Sequence, residues 1–415
     1  MAQERETIMQ ADIVIIGGGP VGASLAILAA KAGFETALVD ARDLSAAPRP
    51  DGRNYAIVRG SWRLLQAVGV ADELEPDAQP LNGLEAIDGG KHWLGAPSVL
   101  FTNEDLASHD AGGTLGFMVE AGRLQVSLDK ALVGQAGLTH LAPEKFSDYE
   151  ATSGGVIAKL ESGKEIKAAL LVGCDGMNSP VRNAAGIETE GRAYGKSVFA
   201  ADVALERPHE GIARQLFTPE GPFATLPLTG DRANLAWYMK TGAAETLVKL
   251  DVAEIEAELN ARFAGFAGKM KLISKPIAYP LILKLATSMI GDRVALLGDA
   301  AHRVNPLAGQ GLNLGIKDVA ALIEVMTDAR YAGLDIGAAT VLERYKEWRR
   351  FDTMLTAYSM DGIERAFSND NIVLKPLRGL ALTAANRIGP IRRAMARQAS
   401  ADQKDLPKLL RGEAL

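Results

Sequence analysis

The most restrictive part of this chain is its first forty residues: an apolar run, a glycine cluster, a helix-prone stretch and a second apolar run. Asp12-Ile13-Val14-Ile15-Ile16 is short and β-branched, as a strand buried on both faces should be. Gly17-Gly18-Gly19-Pro20-Val21-Gly22 follows and contains G-x-G-x-x-G. Val21 to Ala32 is rich in Ala and Leu and reads as a helix closed by Gly33, and Thr36-Ala37-Leu38-Val39 supplies a second strand ending at Asp40. Strand, crossover helix and strand imply a parallel pair with a right-handed connection. In such a unit Gly17 permits the tight turn, Gly19 lets the backbone approach a pyrophosphate, and Gly22 lets helix and strand pack closely. Free N–H groups and the helix dipole then hold the phosphates. Asp40 is placed to accept ribose hydroxyls. The pattern predicts dinucleotide binding and does not by itself separate FAD from NAD.

The rest of the chain extends this frame. Trp62, Leu65 and Val68 give Gly60 to Val70 a helical spacing, and Gly122 to Leu132 reads as another helix. Val156 to Leu160, Ala169 to Gly173 and Arg293 to Leu297 read as strands. From Ser197 to Met239 four short runs (Val198 to Leu205, Ala213 to Phe217, Phe223 to Leu228, Ala233 to Met239) alternate with Pro-Glu-Gly and Thr-Gly-Asp turns, which predicts an antiparallel meander. Val252 to Phe263 is a helix, and helices dominate beyond Gly311. The expected class is therefore α/β: a Rossmann-like nucleotide-binding domain with an inserted antiparallel-sheet substrate domain and a helical C-terminal region. The expected boundaries are residues 1–79, 112–185 and 285–330 for the first, 80–111 and 186–284 for the second, and 331–415 for the third.

Composition excludes several alternatives. A chain of 415 residues is too long for one comfortable core, so two or three packed units are expected. A net charge of −6 leaves no basic footprint for nucleic acid. Cys174 is the single cysteine, cannot form an intramolecular disulfide and suits a reducing compartment. Met1 to Gln10 lacks the pattern of a secretory signal, and no apolar run reaches the roughly 18 residues of a spanning helix, so a cytoplasmic protein is expected. The five histidines are scattered, none at metal-ligand spacing with another, which disfavours a metal-dependent hydroxylase.

Two further segments belong with the glycine loop. Gly298-Asp299-Ala300-Ala301-His302 follows the late apolar strand and leads to Pro306-Leu307-Ala308-Gly309-Gln310-Gly311-Leu312-Asn313-Leu314-Gly315. Gly173-Cys174-Asp175-Gly176-Met177-Asn178-Ser179-Pro180-Val181-Arg182 has the form D-G-x-x-S-x-x-R. With these motifs in this order, the chain resembles the flavoprotein aromatic hydroxylases of the para-hydroxybenzoate hydroxylase type. The resemblance narrows to the ubiquinone-biosynthesis hydroxylases. Gly52-Arg53-Asn54-Tyr55-Ala56-Ile57, Arg214 to Gly221, Leu226-Pro227-Leu228 and Pro306 to Gly315 are each similar to segments of that family, and the likeness runs from about residue 11 to 400.

The resemblance implies roles residue by residue. Asp299 should bind the ribityl chain, with Gly298 before it. Arg53 and Gln125 should contact the flavin phosphate and ribityl region, and Asp175 should sit behind the cofactor. Pro306, Gly309, Gly311, Leu312 and Asn313 should pass the isoalloxazine ring, where a helix start with exposed amides stabilises the anionic reduced flavin. No catalytic side chain stands out; Pro306, Gly309 and Gly311 of the flavin-facing loop come nearest. The implied chemistry is attack of a phenol ring on a flavin C4a-hydroperoxide formed from O2, with water excluded. Two departures bear on regiospecificity and substrate rather than on cofactor contacts: Asn305 stands where the family commonly has His, and Ala121 where it has Asn.

The expected function is hydroxylation of a polyprenylated phenol or quinone precursor in ubiquinone assembly. FAD is the bound cofactor, and NAD(P)H or a partner reductase the electron source, since no second G-x-G-x-x-G unit is present. The alternatives are a flavin hydroxylase of a small aromatic or polyketide, and a flavin-binding scaffold of a biosynthetic complex. Phe223, Trp237, Tyr238 and Tyr279 are either plain core or pocket lining. His302 is either a structural donor or a proton carrier. Leu374, Leu377, Leu380, Ala381, Ala384 and Ile388, flanked by Lys375, Arg378, Arg387, Arg392, Arg393 and Arg397, form a basic amphipathic pattern. It fits either a helix packed on the flavin domain or one resting peripherally on an anionic membrane.

Overall fold

The computed structural model describes residues 8–44, 52–89, 97–106, 113–304, 310–367, 389 and 405–415. In it β1 (Ile13–Ile16) runs into α1 (Pro20–Lys31) and β2 (Thr36–Val39). The two strands pair in parallel, Ile13 opposite Thr36 and Ile16 opposite Val39. Every residue of both is buried, which explains continuous apolar runs in place of alternation. Next come β3 (Asn54–Val58), α2 (Arg59–Val68), β4 (Gln79–Leu81), β5 (Gly83–Asp88), β6 (Ser98–Thr102) and β7 (Gly116–Glu120). α3 (Ala121–Leu132), β8 (Leu138–Leu141) and β9 (Leu170–Gly173) follow.

The chain continues through β10 (Thr189–Leu205), β11 (Ile212–Thr218), β12 (Gly221–Leu228) and β13 (Arg232–Lys240). It goes on to α4 (Val252–Ala267), β14 (Ile277–Ala286), β15 (Val294–Leu296), α5 (Gln310–Tyr331), α6 (Ala339–Phe367) and a short last helix, Lys408–Arg411. Among the described residues the nucleotide-type sheet has the order Ile290–Gly291, β15, β9, β1, β2, β8, parallel throughout except at Ile290–Gly291. The chain is an α/β fold in which this parallel sheet lies beside a larger, mainly antiparallel one.

The larger sheet runs His302–Arg303, β14, β10, β13, β12, β11, β5, β6. The four runs expected as a meander are all strands, but their order corrects that expectation: β10 pairs with β13 instead of β11. Both edges of β10 are taken by partners that come later in the chain, β13 on one side and β14 on the other. The link after Leu205 therefore carries the chain across to the far side, where β11 lies parallel to β5, Ile212 opposite Gly83. Of those four runs, β11, β12 and β13 form a consecutive meander.

Alternation along these strands gives the sheet two apolar faces. Phe199, Ala201, Val203, Phe223, Leu235 and Trp237 pack on α4. There the Phe223 ring stacks on Phe263 at 3.6 Å, and Trp237 meets Phe263 edge-on at 5.0 Å. Val198, Ala200, Tyr238 and Leu281 lie on the opposite face, with Tyr194, Ile277 and Tyr279 against them. Phe223 and Trp237 are thus plain core, whereas Tyr238 and Tyr279 belong to the other side.

A chain of buried charges joins α5 to α6. Asp318 is bonded by His302 Nε2 at 2.6 Å and by Arg349 Nε at 2.7 Å. Arg349 also donates to Asp352 at 2.7 Å, and Lys317 reaches the same carboxylate at 3.2 Å. Burial alone would raise the pKa of Asp352, but the charges of Arg349 and Lys317 outweigh it and hold the carboxyl below its ordinary value. A carboxylate depressed in the folded state adds stability above its unfolded pKa and loses it as pH falls through the folded one. The melting temperature of the wild type should therefore exceed that of Asp352→Asn at neutral pH, and the gap should close below about pH 4. A gap independent of pH would contradict this account.

Candidate active site

The glycine loop after β1 is shaped by what a side chain would strike. A Cβ on Gly22 would stand 1.9 Å from the Gly17 carbonyl oxygen, and one on Gly17 2.4 Å from the Cys174 carbonyl oxygen. Gly17 also needs its left-handed backbone, at φ 106°. Gly19 differs, because a Cβ there would meet nothing within 4 Å. It caps α1 without a side-chain bond, Pro20 occupies the first turn, and no acidic residue lies nearby in that turn. No N-cap side chain therefore occupies the first N–H groups of α1, which stand at the positive end of the helix dipole.

Beside this loop stands Asp40, at the end of β2 and only 3% exposed. Its carboxylate accepts from the backbone N–H of Arg42 at 3.0 Å and from Arg42 Nε at 2.8 Å. Arg42 also donates to Asp129 at 2.9 Å and to the Gly18 carbonyl oxygen at 2.8 Å. Gln125 on α3 donates to that same Gly18 oxygen at 3.0 Å and to Asp129 at 2.8 Å. The structure therefore brings Gly17, Gly19, Gly22, Asp40 and Gln125 into one cluster. It adds Arg42 and Asp129, which the sequence reading missed. The available signals were weak: Arg42 follows the strand-ending Asp40 by two positions, and Asp129 lies one helical turn after Gln125.

The other motifs converge on the same place from behind. Asp175 follows β9, and its Cα would lie 3.0 Å from a Cβ on Gly17. The Asp175 carboxylate accepts the Val181 N–H at 3.0 Å, and burial raises its pKa against the pull of Ser179, Val181 and Arg182. Its Oδ1 is buried without a hydrogen-bond partner among the described residues. Arg182, from the same motif, donates to the Ala300 carbonyl oxygen at 2.9 Å and so grips the turn that carries Asp299. Gly298 opens that turn at φ 58°. Val21 of the glycine loop fills the space beside it: a Cβ on Gly298 would lie 3.2 Å from Val21 Cγ2, and one on Gly315 2.6 Å from it.

Asp299 itself is 46% exposed at the side chain, with Arg303 at 3.8 Å. Gly311 lies in the first turn of α5, where an added Cβ would meet nothing within 4 Å among the described residues outside the helix's own backbone. Leu312 packs against the main core. The Asn313 side chain is used elsewhere than expected: its Nδ2 donates to the Ala56 carbonyl oxygen at 2.7 Å, and its Oδ1 accepts the Val58 N–H at 3.1 Å. Asn313 thus straps α5 to β3. Pro306 and Gly309, with Asn305, lie outside the described residues, as does the basic segment from Leu374 to Arg397.

Gly52-Arg53-Asn54 runs along the face of the larger sheet opposite α4. A Cβ on Gly52 would touch Ile277 Cδ1 at 3.6 Å. Asn54 and Asn234 both donate to Asp202 Oδ1, at 3.2 and 2.7 Å, and burial raises the Asp202 pKa. Arg53 is fixed by the bond from the Ala121 N–H to its carbonyl oxygen, at 3.0 Å. Burial pushes the Tyr279 phenol up to about 12 even though Arg53 and Arg303 pull it down. Tyr279 is therefore a neutral hydroxyl within electrostatic reach of two cations, and one of these, Arg303, neighbours Asp299.

An uncapped helix N-terminus, a buried strand-end carboxylate and a half-exposed aspartate on a clamped turn are the features of a dinucleotide-binding protein with a sheet laid beside its site. Nothing among the described residues would obstruct a side chain at Gly19 or Gly311, and Asp299 is half-exposed. The FAD binding domain family model matches residues 10–350. Ubiquinone hydroxylase UbiL of Rhodospirillum rubrum is 37% identical over 407 residues, covering 97% of this chain and 93% of the relative. The 3-demethoxyubiquinol 3-hydroxylase of Escherichia coli is 34% identical over 386 residues, covering 92% and 96%. Among solved structures, p-nitrophenol 4-monooxygenase PnpA from Pseudomonas putida superposes with a TM-score of 0.76 at 18% identity, covering 98% of this chain and all of that one, a likeness of fold. The chain belongs to the FAD-binding family of ubiquinone-biosynthesis hydroxylases and is an FAD-dependent aromatic monooxygenase.

Gly22→Ala should abolish flavin retention, because the methyl group cannot fit against the Gly17 carbonyl. Visible flavin absorbance per purified chain should fall about tenfold or more. Absorbance equal to the wild type would show that the loop does not hold the cofactor.

Proposed function

We propose that this protein hydroxylates the aromatic ring of a polyprenylated phenol or quinone precursor in ubiquinone biosynthesis, with O2 as oxidant. The observation that carries the reading is the sheet face beside Gly52-Arg53-Asn54. It is apolar at Ile277 and Leu281 and aromatic at Tyr238 and Tyr279, and Arg53 and Arg303 act electrostatically on Tyr279. A phenolic ring fits such a wall, its oxygen taking a hydrogen bond and its carbon skeleton the apolar side chains. The names of the relatives, a ubiquinone hydroxylase and a demethoxyubiquinol hydroxylase, support the same substrate class.

In this reading the parallel-sheet unit (residues 1–79, 112–185 and 285–330) holds FAD, and the part formed by 80–111 and 186–284 holds the substrate. FAD, when bound, supplies the activation of O2 for insertion into the ring. The glycine loop and α1 hold the pyrophosphate, Asp40 with Arg42 the ribose end, Gln125 and Arg53 the phosphate and ribityl region, and Asp299 the ribityl hydroxyls. Pro306, Gly309 and Gly311 line the ring. Tyr279, neutral at any working pH, donates to the phenolic oxygen, and Arg53 favours its ionised form. The apolar sheet face excludes water from the reacting atoms. Electrons come from NAD(P)H or a partner reductase. Membership of a biosynthetic complex and peripheral contact with a membrane through the basic C-terminal segment belong to the same proposal. No helix among the described residues is long and apolar enough to cross a membrane.

A deletion strain should accumulate a prenylated ring lacking one hydroxyl, seen by mass spectrometry of lipid extracts; unchanged quinone content would refute the assignment. In the purified enzyme, Tyr279→Phe should keep its flavin and lose about tenfold in kcat/KM, with more peroxide released per NAD(P)H consumed. Wild-type coupling in that variant would remove Tyr279 from the site.

A further inference from the structure

Asp299 poses a problem of placement. Its side chain is 46% exposed and its nearest charged partner is 3.8 Å away, so it does not hold itself in position. The main chain on either side of it is gripped instead. Arg182 donates to the Ala300 carbonyl oxygen after it, and the Gly298 N–H before it donates to Asp318 Oδ2 at 3.0 Å. Gly298 is a left-handed glycine, a backbone free to relax when its N–H is released.

Asp318 is fully buried, and both of its oxygens are engaged. Oδ2 takes the Gly298 N–H and His302 Nε2, and Oδ1 takes Arg349 Nε from α6. A second contact reaches the same strand end from α6: Tyr345 donates to the Leu296 carbonyl oxygen at 2.9 Å. We propose that Asp318, clamped between His302 and Arg349, is the positioning residue of the flavin turn and transmits the placement of α6 to Asp299. Burying three charged or polar side chains is a poor route to stability, since apolar residues of similar volume do as well or better. What apolar residues cannot do is accept one particular N–H while being oriented from two sides. His302 is on this view a structural donor that carries its proton on Nε2 toward Asp318.

The test uses the full-length protein and reads FAD affinity by flavin fluorescence, with the visible circular dichroism of the bound flavin as a signature of ring placement. His302→Gln keeps a donor toward Asp318 and should hold FAD within about twofold of the wild type, with an unchanged spectrum. His302→Leu and Asp318→Asn should remain folded, bind FAD about tenfold more weakly and show an altered flavin spectrum. Should Asp318→Asn fail to fold, the Gln and Leu variants decide. Wild-type affinity and spectrum in His302→Leu would overturn the proposal, as would equal losses in Gln and Leu, which would mean packing alone. None of these readouts depends on the substrate, so their failure leaves the proposed reaction untouched.

Discussion

The structure depends on close approach of main chains at places where a Cβ cannot exist. The Gly17 carbonyl meets α1 at Gly22, the Cys174 carbonyl meets Gly17, and Val21 fills the gap left by Gly298 and Gly315. Through these contacts three segments distant in sequence share one small volume. Each would otherwise be an ordinary turn after a buried strand. Together they set a helix start without a side-chain cap beside one half-exposed carboxylate, which no single segment could assemble.

Around that centre, polar side chains act mainly on backbone. Arg182 holds the Ala300 carbonyl, Asn313 clamps β3 at Ala56 and Val58, and Arg42 and Gln125 both hold the Gly18 carbonyl. Each satisfies a main-chain group in a turn or on a strand with a side-chain partner. This is the pattern expected where a loop must be rigid without being regular, because a preorganised site loses less on binding.

Local pattern made part of this legible. The strand, glycine loop, helix and terminal Asp40 are contiguous and carry their own periodicity, so the nucleotide unit could be read directly. Motif resemblance extended the reading to Asp175 and Asp299. What stayed hidden is non-local. That β10 would pair with β13 depends on partners later in the chain, and short alternating runs do not encode their neighbours. Arg42 and Asp129 lie 87 residues apart and look like surface charges. Asp318 and Arg349 sit on helices where an acid and a base are common, and only packing shows that they are buried. Trp237 and Tyr238 are adjacent and must point to opposite faces, yet sequence alone does not say which face meets a helix and which meets Arg53.

The parallel pairing of β11 with β5 has a consequence for how the molecule comes into being. Arg214 and Glu85, bonded across that pair, are separated by 129 residues, and the nucleotide strand β9 is made between them. A nascent chain therefore presents β5 with an unsatisfied edge until much later segments emerge, a condition that invites mispairing. Closing so large a loop is slow compared with forming the β1–α1–β2 unit. The two halves are threaded through each other during synthesis, and neither can be excised as a continuous fragment.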